Sequence, residues 1–233
     1  MAFTTRTLRD TVVNAAGAGG TVTVKAIFDN DTADNLILDA HGLSGFANGA
    51  KLDLSNDYLL VLFHPVTTEF SDSEEQMEEV LSAIKELNMQ TVLIWPNIDA
   101  GSDGLSQAIR RFREENSQIK LRAYKNFEPE EYIPLLGNAV CAIGNSSSFI
   151  RDASFLGTPI VLVGSRQDGR EHSDAVVKSK PKRKEIIQKV KIQLNHGRYK
   201  QSNLYGQKGT SLKIVRHIKN LNKYHQKKFN ALF

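Results

Sequence analysis

The feature that most constrains this chain is a rhythm: between residues 56 and 163, short apolar runs alternate with longer amphipathic stretches. YLLVLF (58–63), TVLIW (91–95), IKLRAY (119–124), AVCAI (139–143) and PIVLVG (159–164) have strand length and little polar interruption. Such runs read as strands buried on both faces. Between them, EEQMEEVLSAIKEL (74–87) places Met77, Val80, Leu81, Ile84 and Leu87 on one helix face. LSQAIRRFREEN (105–116) reads as a second helix. A short third covers 129–136, with Pro129 in its first turn, where a missing N–H is harmless. A fourth helical stretch covers 147–155. Strands separated by helices of this length mean βαβ units with right-handed crossovers. The expected class is α/β: a Rossmann-like parallel sheet with flanking helices.

Both flanks depart from the rhythm. In the first 55 residues AAGAGG is a flexible break, TVTVKAIF alternates as a half-buried strand would, and NDTADN and HGLSGFANG are turn-rich. Residues 1–55 therefore read as a small β-containing appendage without a chemical motif, and 56–233 as one domain. Beyond residue 180, KEIIQKVKIQL and SLKIVRHIKNLNKYHQKKF read as amphipathic helices, punctuated by Pro181 and NHGRYKQSNLYGQKG. The net charge of +4 hides a split. From Lys178 onward 16 Lys and Arg face a single acid, Glu185, whereas the first 177 residues carry 14 basic against 25 acidic side chains. Such an end either attracts polyanions or forms a solvated helix pair. The lysines lack aromatic interleaving of the kind used for base stacking, so nucleic acid is not an expected partner.

No apolar run reaches the roughly 18 residues a membrane helix needs, and MAFTTRTLRD lacks the pattern of a signal peptide. The lone cysteine, Cys141, excludes an internal disulfide and lies in an apolar run, as a buried structural thiol would. A reducing cytoplasm is the expected location.

Four polar segments sit where expected strands end or helices begin: HPVTTE (64–69), PNIDAGS (96–102), GNSSS (144–148) and GSRQDGRE (164–171). Ligands of open α/β sheets bind beyond the carboxyl ends of the strands, so the four loops point to one shared anion pocket. In GNSSS, Asn145 or Ser146 reads equally well as a helix N-cap or, with Ser147, as part of a phosphate cradle. Arg166 and Arg170 have the planar fork that suits phosphate, although loop arginines standing alone are ordinary surface residues. His64, before Pro65, is either a structural hydrogen-bonder or a donor and general acid. Asn97 and Asp99 either line the next strand end or make a turn and cap. There is no phosphate-binding P-loop, G-x-G-x-x-G, H-E-x-x-H or cysteine pair, and His196, His217 and His225 lack ligand spacing. Neither a metal nor a cofactor is expected.

HPVTTE, PNIDAGS, GNSSS, FLGTP (155–159) and GSRQDGRE, followed by HGRY and LYG, occur in the order found in hydrolysing UDP-N-acetylglucosamine 2-epimerases, including those of the sialic-acid pathway. The chain resembles that family over about residues 57–205. The resemblance implies a glycosyltransferase-B arrangement of two Rossmann-like domains with the nucleotide sugar between them, the covered part being the C-terminal, UDP-binding domain. It implies that Ser146 and Ser147 hold the diphosphate with Arg166, while Arg170 supports that loop. Asp152 takes the place of a family glutamate that binds ribose, with a reach one methylene shorter. Phe127 lies beside uracil, His64 faces the reacting sugar, and Asn97 and Asp99 line the sugar side. Phe149 stands where glycine is usual, and Gln207 where an aspartate often follows LYG.

In the family UDP is eliminated to a glycal, and water then adds with inversion at C2, giving N-acetylmannosamine without metal or nicotinamide. The acid–base carboxylates come mainly from the N-terminal domain, whose motifs residues 1–55 do not carry. The implied protein is a UDP-binding half whose ligand is UDP-N-acetylglucosamine or UDP. A homo-oligomer or a partner chain would complete the cleft. The alternative is a non-catalytic nucleotide-sugar binding or regulatory module.

Overall fold

The apolar runs form a single sheet in which alternate residues face opposite sides. In the computed structural model, which describes residues 48–96 and 101–221, the strands are β1 (Asn48–Gly49), β2 (Leu59–Leu62), β3 (Thr91–Ile94), β4 (Leu121–Tyr124), β5 (Cys141–Gly144), β6 (Ile160–Val163) and β7 (Val176–Ser179). Their order across the sheet is β1-β4-β3-β2-β5-β6-β7. β2 to β7 run parallel, and β1 pairs antiparallel with β4. Every residue of β2, β3, β4, β5 and β6 is buried. The α/β expectation therefore holds. The appendage expected over 1–55, with its TVTVKAIF strand, lies almost wholly outside the described residues. Only β1 and the approach to β2 belong to the described part.

Helices α1 (Ser73–Leu87), α2 (Ser102–Glu115), α3 (Pro129–Asn138), α4 (Ser154–Leu156), α5 (Arg183–His196) and α6 (Thr210–Asn220) connect and flank the strands. On one face Leu59, Val61, Leu93 and Ile143 pack with Met77, Val80, Leu81 and Ile84 of α1, Leu105 and Ile109 of α2, and Ile186 and Val190 of α5. On the other face Leu60, Leu62, Val92 and Ala142 pack with Leu135 and Leu136 of α3 and with Phe149 and Ile150. Each large side chain taken out of water contributes about 2 kcal/mol, so losing either layer would unfold the sheet.

Three details differ from the sequence expectation. α2 begins at Ser102, behind Gly101 at φ 89, earlier than 105. The helical stretch expected over 147–155 is not a plain α-helix: residues 149–153 form a π-helical turn, followed by α4, which stops at Gly157 with φ 72. β7 was not foreseen, because VVKS at a sheet edge is only half buried.

The segment after α5 straps the end of α4 to the body. Tyr199 N donates to Gly157 O (2.9 Å), Ser202 N to Ser154 O (3.1 Å) and Arg198 to Leu156 O (3.1 Å). A Cβ on Gly157 would lie 2.2 Å from Tyr199 O, so the strap needs glycine there. Tyr205 reaches the carbonyl of Glu171.

Candidate functional site

From β2 the chain builds the sheet outward through β3 and β4, then returns to add β5, β6 and β7 on the other side. The reversal lies between β2 and β5, and open α/β sheets take their ligands in the crevice beyond the carboxyl ends at such a point. The first residues past those two strands are therefore the ones placed to meet a ligand. Past β2 come Phe63, which belongs to the core, and His64, and past β5 come Asn145 and Ser146.

Asn145 holds the two ends together. Its Oδ1 accepts from His64 N (2.7 Å), and its Nδ2 donates to His64 O (2.8 Å). Its own backbone N donates to Leu62 O (3.2 Å). The side chain is fully buried, so one carboxamide satisfies a donor and an acceptor that water cannot reach. Asn145 is thus a clamp between strand ends rather than a helix cap. Gly144 leads into it at φ 144, where a Cβ would lie 2.0 Å from Leu62 O.

Ser146 takes the capping position: Ser148 N donates to its Oγ (3.3 Å). The Ser146 and Ser148 hydroxyls are 2.9 Å apart, and the Tyr132 hydroxyl of α3 lies 2.6 Å from Ser148 Oγ. Ser147 is half-buried beside them. Asp152, in the π-helical turn, is also half-buried; burial raises its carboxyl pKa, and the Arg151 charge opposes that.

The loop after β6 closes the crevice from the other side. Arg166 donates through Nη1 (3.3 Å) and Gln167 through Nε2 (2.7 Å) to the carbonyl of Asn145. Ser165 donates to Glu69, which follows β2 in HPVTTE, and Gln76 donates to the same carboxylate (3.0 Å). The Ser165 hydroxyl, and then Gln76, hold the Glu69 carboxyl below the ordinary glutamate range. Lys178 of β7 pairs with Asp168 (3.1 Å).

Of the residues singled out from the sequence, His64 and Arg166 bond Asn145, and Ser146 follows it in the chain. Ser147 lies next to them, and Asp152 sits in the following π-helical turn, where its charge raises the Tyr132 pKa. Arg170 is exposed, and its guanidinium has no carboxylate partner among the described residues. Phe127 follows β4 and is 7% exposed, with its ring 4.8 Å from Tyr124 and tilted by 40°; most of it belongs to the core. Asn97 and Asp99 lie outside the described residues. Sequence reasoning missed the clamp role of Asn145, the Glu69–Ser165 tie, Gln167 and Tyr132. Their partners are 81, 96, 22 and 16 residues away in the chain. Only the presence of Glu69 and Gln167 inside two of the polar segments could have drawn attention to them.

The strand ends bring serine hydroxyls and a guanidinium together beside the buried His64, donors suited to an oxyanion. Among the described residues no group of three or more His, Cys, Asp or Glu could hold a metal ion, and no helix is long and apolar enough to cross a membrane.

The sequence profile of the family described as UDP-N-acetylglucosamine 2-epimerase matches residues 20–219. The chain belongs to that family. The match begins at residue 20, inside the segment read as an appendage. Among relatives of the 2-epimerase family, a UDP-N,N'-diacetylbacillosamine 2-epimerase (hydrolyzing) of Legionella pneumophila is 31% identical over 162 residues, 70% of this chain and 42% of that protein. A UDP-N-acetylglucosamine 2-epimerase of Neisseria meningitidis is 27% identical over 143 residues, 61% of this chain and 37% of that protein. The chain thus spans about two fifths of the length of these relatives.

The fold is that of solved family members. The Methanocaldococcus jannaschii UDP-GlcNAc 2-epimerase in complex with UDP-GlcNAc and UDP superposes with a TM-score of 0.57 at 18% identity, over 91% of this chain and 51% of that one. The Neisseria meningitidis enzyme bound to UDP-GlcNAc gives 0.56 at 14% identity, over 71% and 45%. The Rossmann-like sheet therefore corresponds to about half of a glycosyltransferase-B-like epimerase.

Proposed function

We propose that residues 56–233 form the UDP-binding half of a hydrolysing 2-epimerase acting on UDP-N-acetylglucosamine or a close N-acetylated analogue. The observation that carries this reading is that His64 and Arg166 both bond Asn145, the residue before Ser146, at the switch point of a sheet of this family. In the proposed complex Ser146 and Ser147 donate to the diphosphate, while Arg166 moves from the Asn145 carbonyl onto phosphate oxygens. Arg170 steadies the loop. Asp152 accepts from the ribose hydroxyls, and Phe127 presents its exposed edge to uracil. Asn97 and Asp99 line the sugar side.

In the proposed reaction the C2 proton and UDP leave the sugar to form the glycal. Water then adds, its hydroxyl bonding C1 and a proton returning to C2 from the opposite face. The products are UDP and N-acetylmannosamine. The C1 leaving group is the diphosphate, so donors on its oxygens lower the barrier to its departure. His64 supplies a donor next to it. The carboxylates that move the C2 proton come from polypeptide outside residues 48–221 or from a partner chain, a second copy of this one included. The lone buried thiol of Cys141 fits a reducing cytoplasm.

Calorimetric titration with UDP tests the reading. Wild type should bind, and Arg166→Ala should weaken binding about 10- to 100-fold, the value of a charge-assisted hydrogen bond. Equal affinity in the two proteins would overturn the assignment. Proton NMR with UDP-N-acetylglucosamine then separates catalysis, seen as N-acetylmannosamine, from binding alone, seen as saturation transfer to uridine protons.

A further inference from the structure

We infer that Tyr132 is a positioning residue for the diphosphate subsite: through Ser148 it fixes the direction in which the Ser146 hydroxyl donates. The inference rests on the reading above that a diphosphate binds at Ser146. Three hydroxyls lie in a row, Tyr132 to Ser148 at 2.6 Å and Ser148 to Ser146 at 2.9 Å. Each carries one proton, so the row has a direction unless Ser148 accepts from both neighbours, which would leave its own proton without an acceptor among the described residues. A phenol is a better donor and a poorer acceptor than an aliphatic alcohol, so Tyr132 heads the row. Ser148 accepts that proton and passes its own to Ser146 Oγ.

Ser146 Oγ already accepts from Ser148 N (3.3 Å). With the Ser148 hydroxyl also donating, both of its lone pairs are engaged. Its single O–H is then left for a partner outside the row. Ser146 is only 6% exposed, so that partner is whatever occupies the crevice. A phosphate oxygen only accepts, and it completes the row; a sugar hydroxyl or an ammonium group donating to Ser146 would find no free lone pair. Hydrogen bonds in a row polarise one another, so the phenol strengthens a donor two groups away. The opposite direction would leave the Tyr132 proton without an acceptor among the described residues. Burial raises the pKa of that phenol above its ordinary value; the Ser148 hydrogen bond opposes this and the Asp152 charge adds to it, so the proton stays on.

The test compares UDP with uridine, which shares the base and ribose and lacks the diphosphate. Tyr132→Phe deletes one hydroxyl and preserves the ring against the core. It should weaken UDP about three- to tenfold, the value of one hydrogen bond, and leave uridine affinity within error. Ser148→Ala should give a similar loss, and adding Tyr132→Phe to Ser148→Ala should cost nothing further, because the row is already cut. Melting curves of each variant check that the fold persists, and Ser148→Ala keeps the test open if Tyr132→Phe does not fold. Unchanged UDP affinity in either single variant, or an equal loss for uridine, would overturn the role. If wild type fails to bind UDP, or Arg166→Ala binds it equally well, the diphosphate reading itself falls and the row falls with it. Binding that depends on Arg166 but not on Tyr132 removes the row alone.

Discussion

The loops after β5 and β6 face each other across one crevice and are held in opposite ways. The β5 loop is tied by backbone geometry and a buried carboxamide. Gly144 passes against Leu62, and Asn145 bonds both backbone groups of His64. The β6 loop is tied by side chains, most of them near the surface: Ser165 to Glu69, Lys178 to Asp168 and Arg166 to the Asn145 carbonyl, with the buried Gln167 on the same carbonyl. Its glycines, Gly164 and Gly169, have nothing within 4 Å of an added Cβ. The contrast suggests a fixed floor and an adjustable clamp. A floor must hold its donors at one geometry, while a clamp that closes on a ligand must release bonds it makes without one.

The sharpest way to break the comparison is to place the same methyl group in both loops. Gly144→Ala puts a Cβ 2.0 Å from Leu62 O at φ 144, so β2 and β5 must separate. We expect a loss above about 3 kcal/mol, or no soluble protein, in urea melts. Gly169→Ala at φ 78 meets no atom and should cost only about 1–2 kcal/mol, the strain of the left-handed backbone. Equal losses would mean that the two loops are equally constrained.

The next largest effect is expected at the buried carboxamide. Asn145→Ala removes both bonds to the His64 backbone in a site closed to water, at a cost of about 2–4 kcal/mol. Gln167→Ala removes one bond to the other side of the same residue and should cost about 1 kcal/mol. Chemical denaturation of the two variants measures both. A Gln167 cost matching that of Asn145 would place the β6 loop in the floor.

How much of this was legible follows from how far apart the partners lie. β2 to β6 announce themselves because both faces are buried and the runs are apolar; β7 does not, since VVKS is an edge strand with half its residues outside the core. The helix face of α1 follows from local spacing, and so does the amphipathic pattern of α6. The pattern could not show that α6 buries nothing in the described structure, with Leu212 and Ile218 exposed while the equivalent face of α5 is covered. The π-helical turn at Phe149–Ala153 has the composition of ordinary helix, so its extra width is invisible in the sequence. Motif order brought His64, Ser146 and Arg166 forward as site residues. What holds them was hidden, because Asn145 and Glu69 act across 81 and 96 residues, and local periodicity carries no information at that range.

The smallest expected effect concerns the clamp alone and is tuned by pH. The hydrogen bonds from Ser165 and Gln76 hold the Glu69 pKa below its unfolded value. A depressed carboxylate contributes stability that is present above the unfolded glutamate value of about 4.3 and is lost as pH falls through the folded value. Acidification below about pH 4 should therefore loosen residues 164–171 before the strands give way. Amide exchange at Gln167 and Asp168 in wild type should rise relative to Glu69→Gln at the same pH, while Ile143 and Val61 stay protected. The variant's neutral amide still accepts from Ser165, so at pH 7 it should melt within about 0.5 kcal/mol of wild type. Superimposable exchange profiles in the two proteins would show that the Glu69 charge does not hold the clamp. The loop's order would then come from Arg166 and Gln167 on the Asn145 carbonyl, making the clamp an extension of the floor.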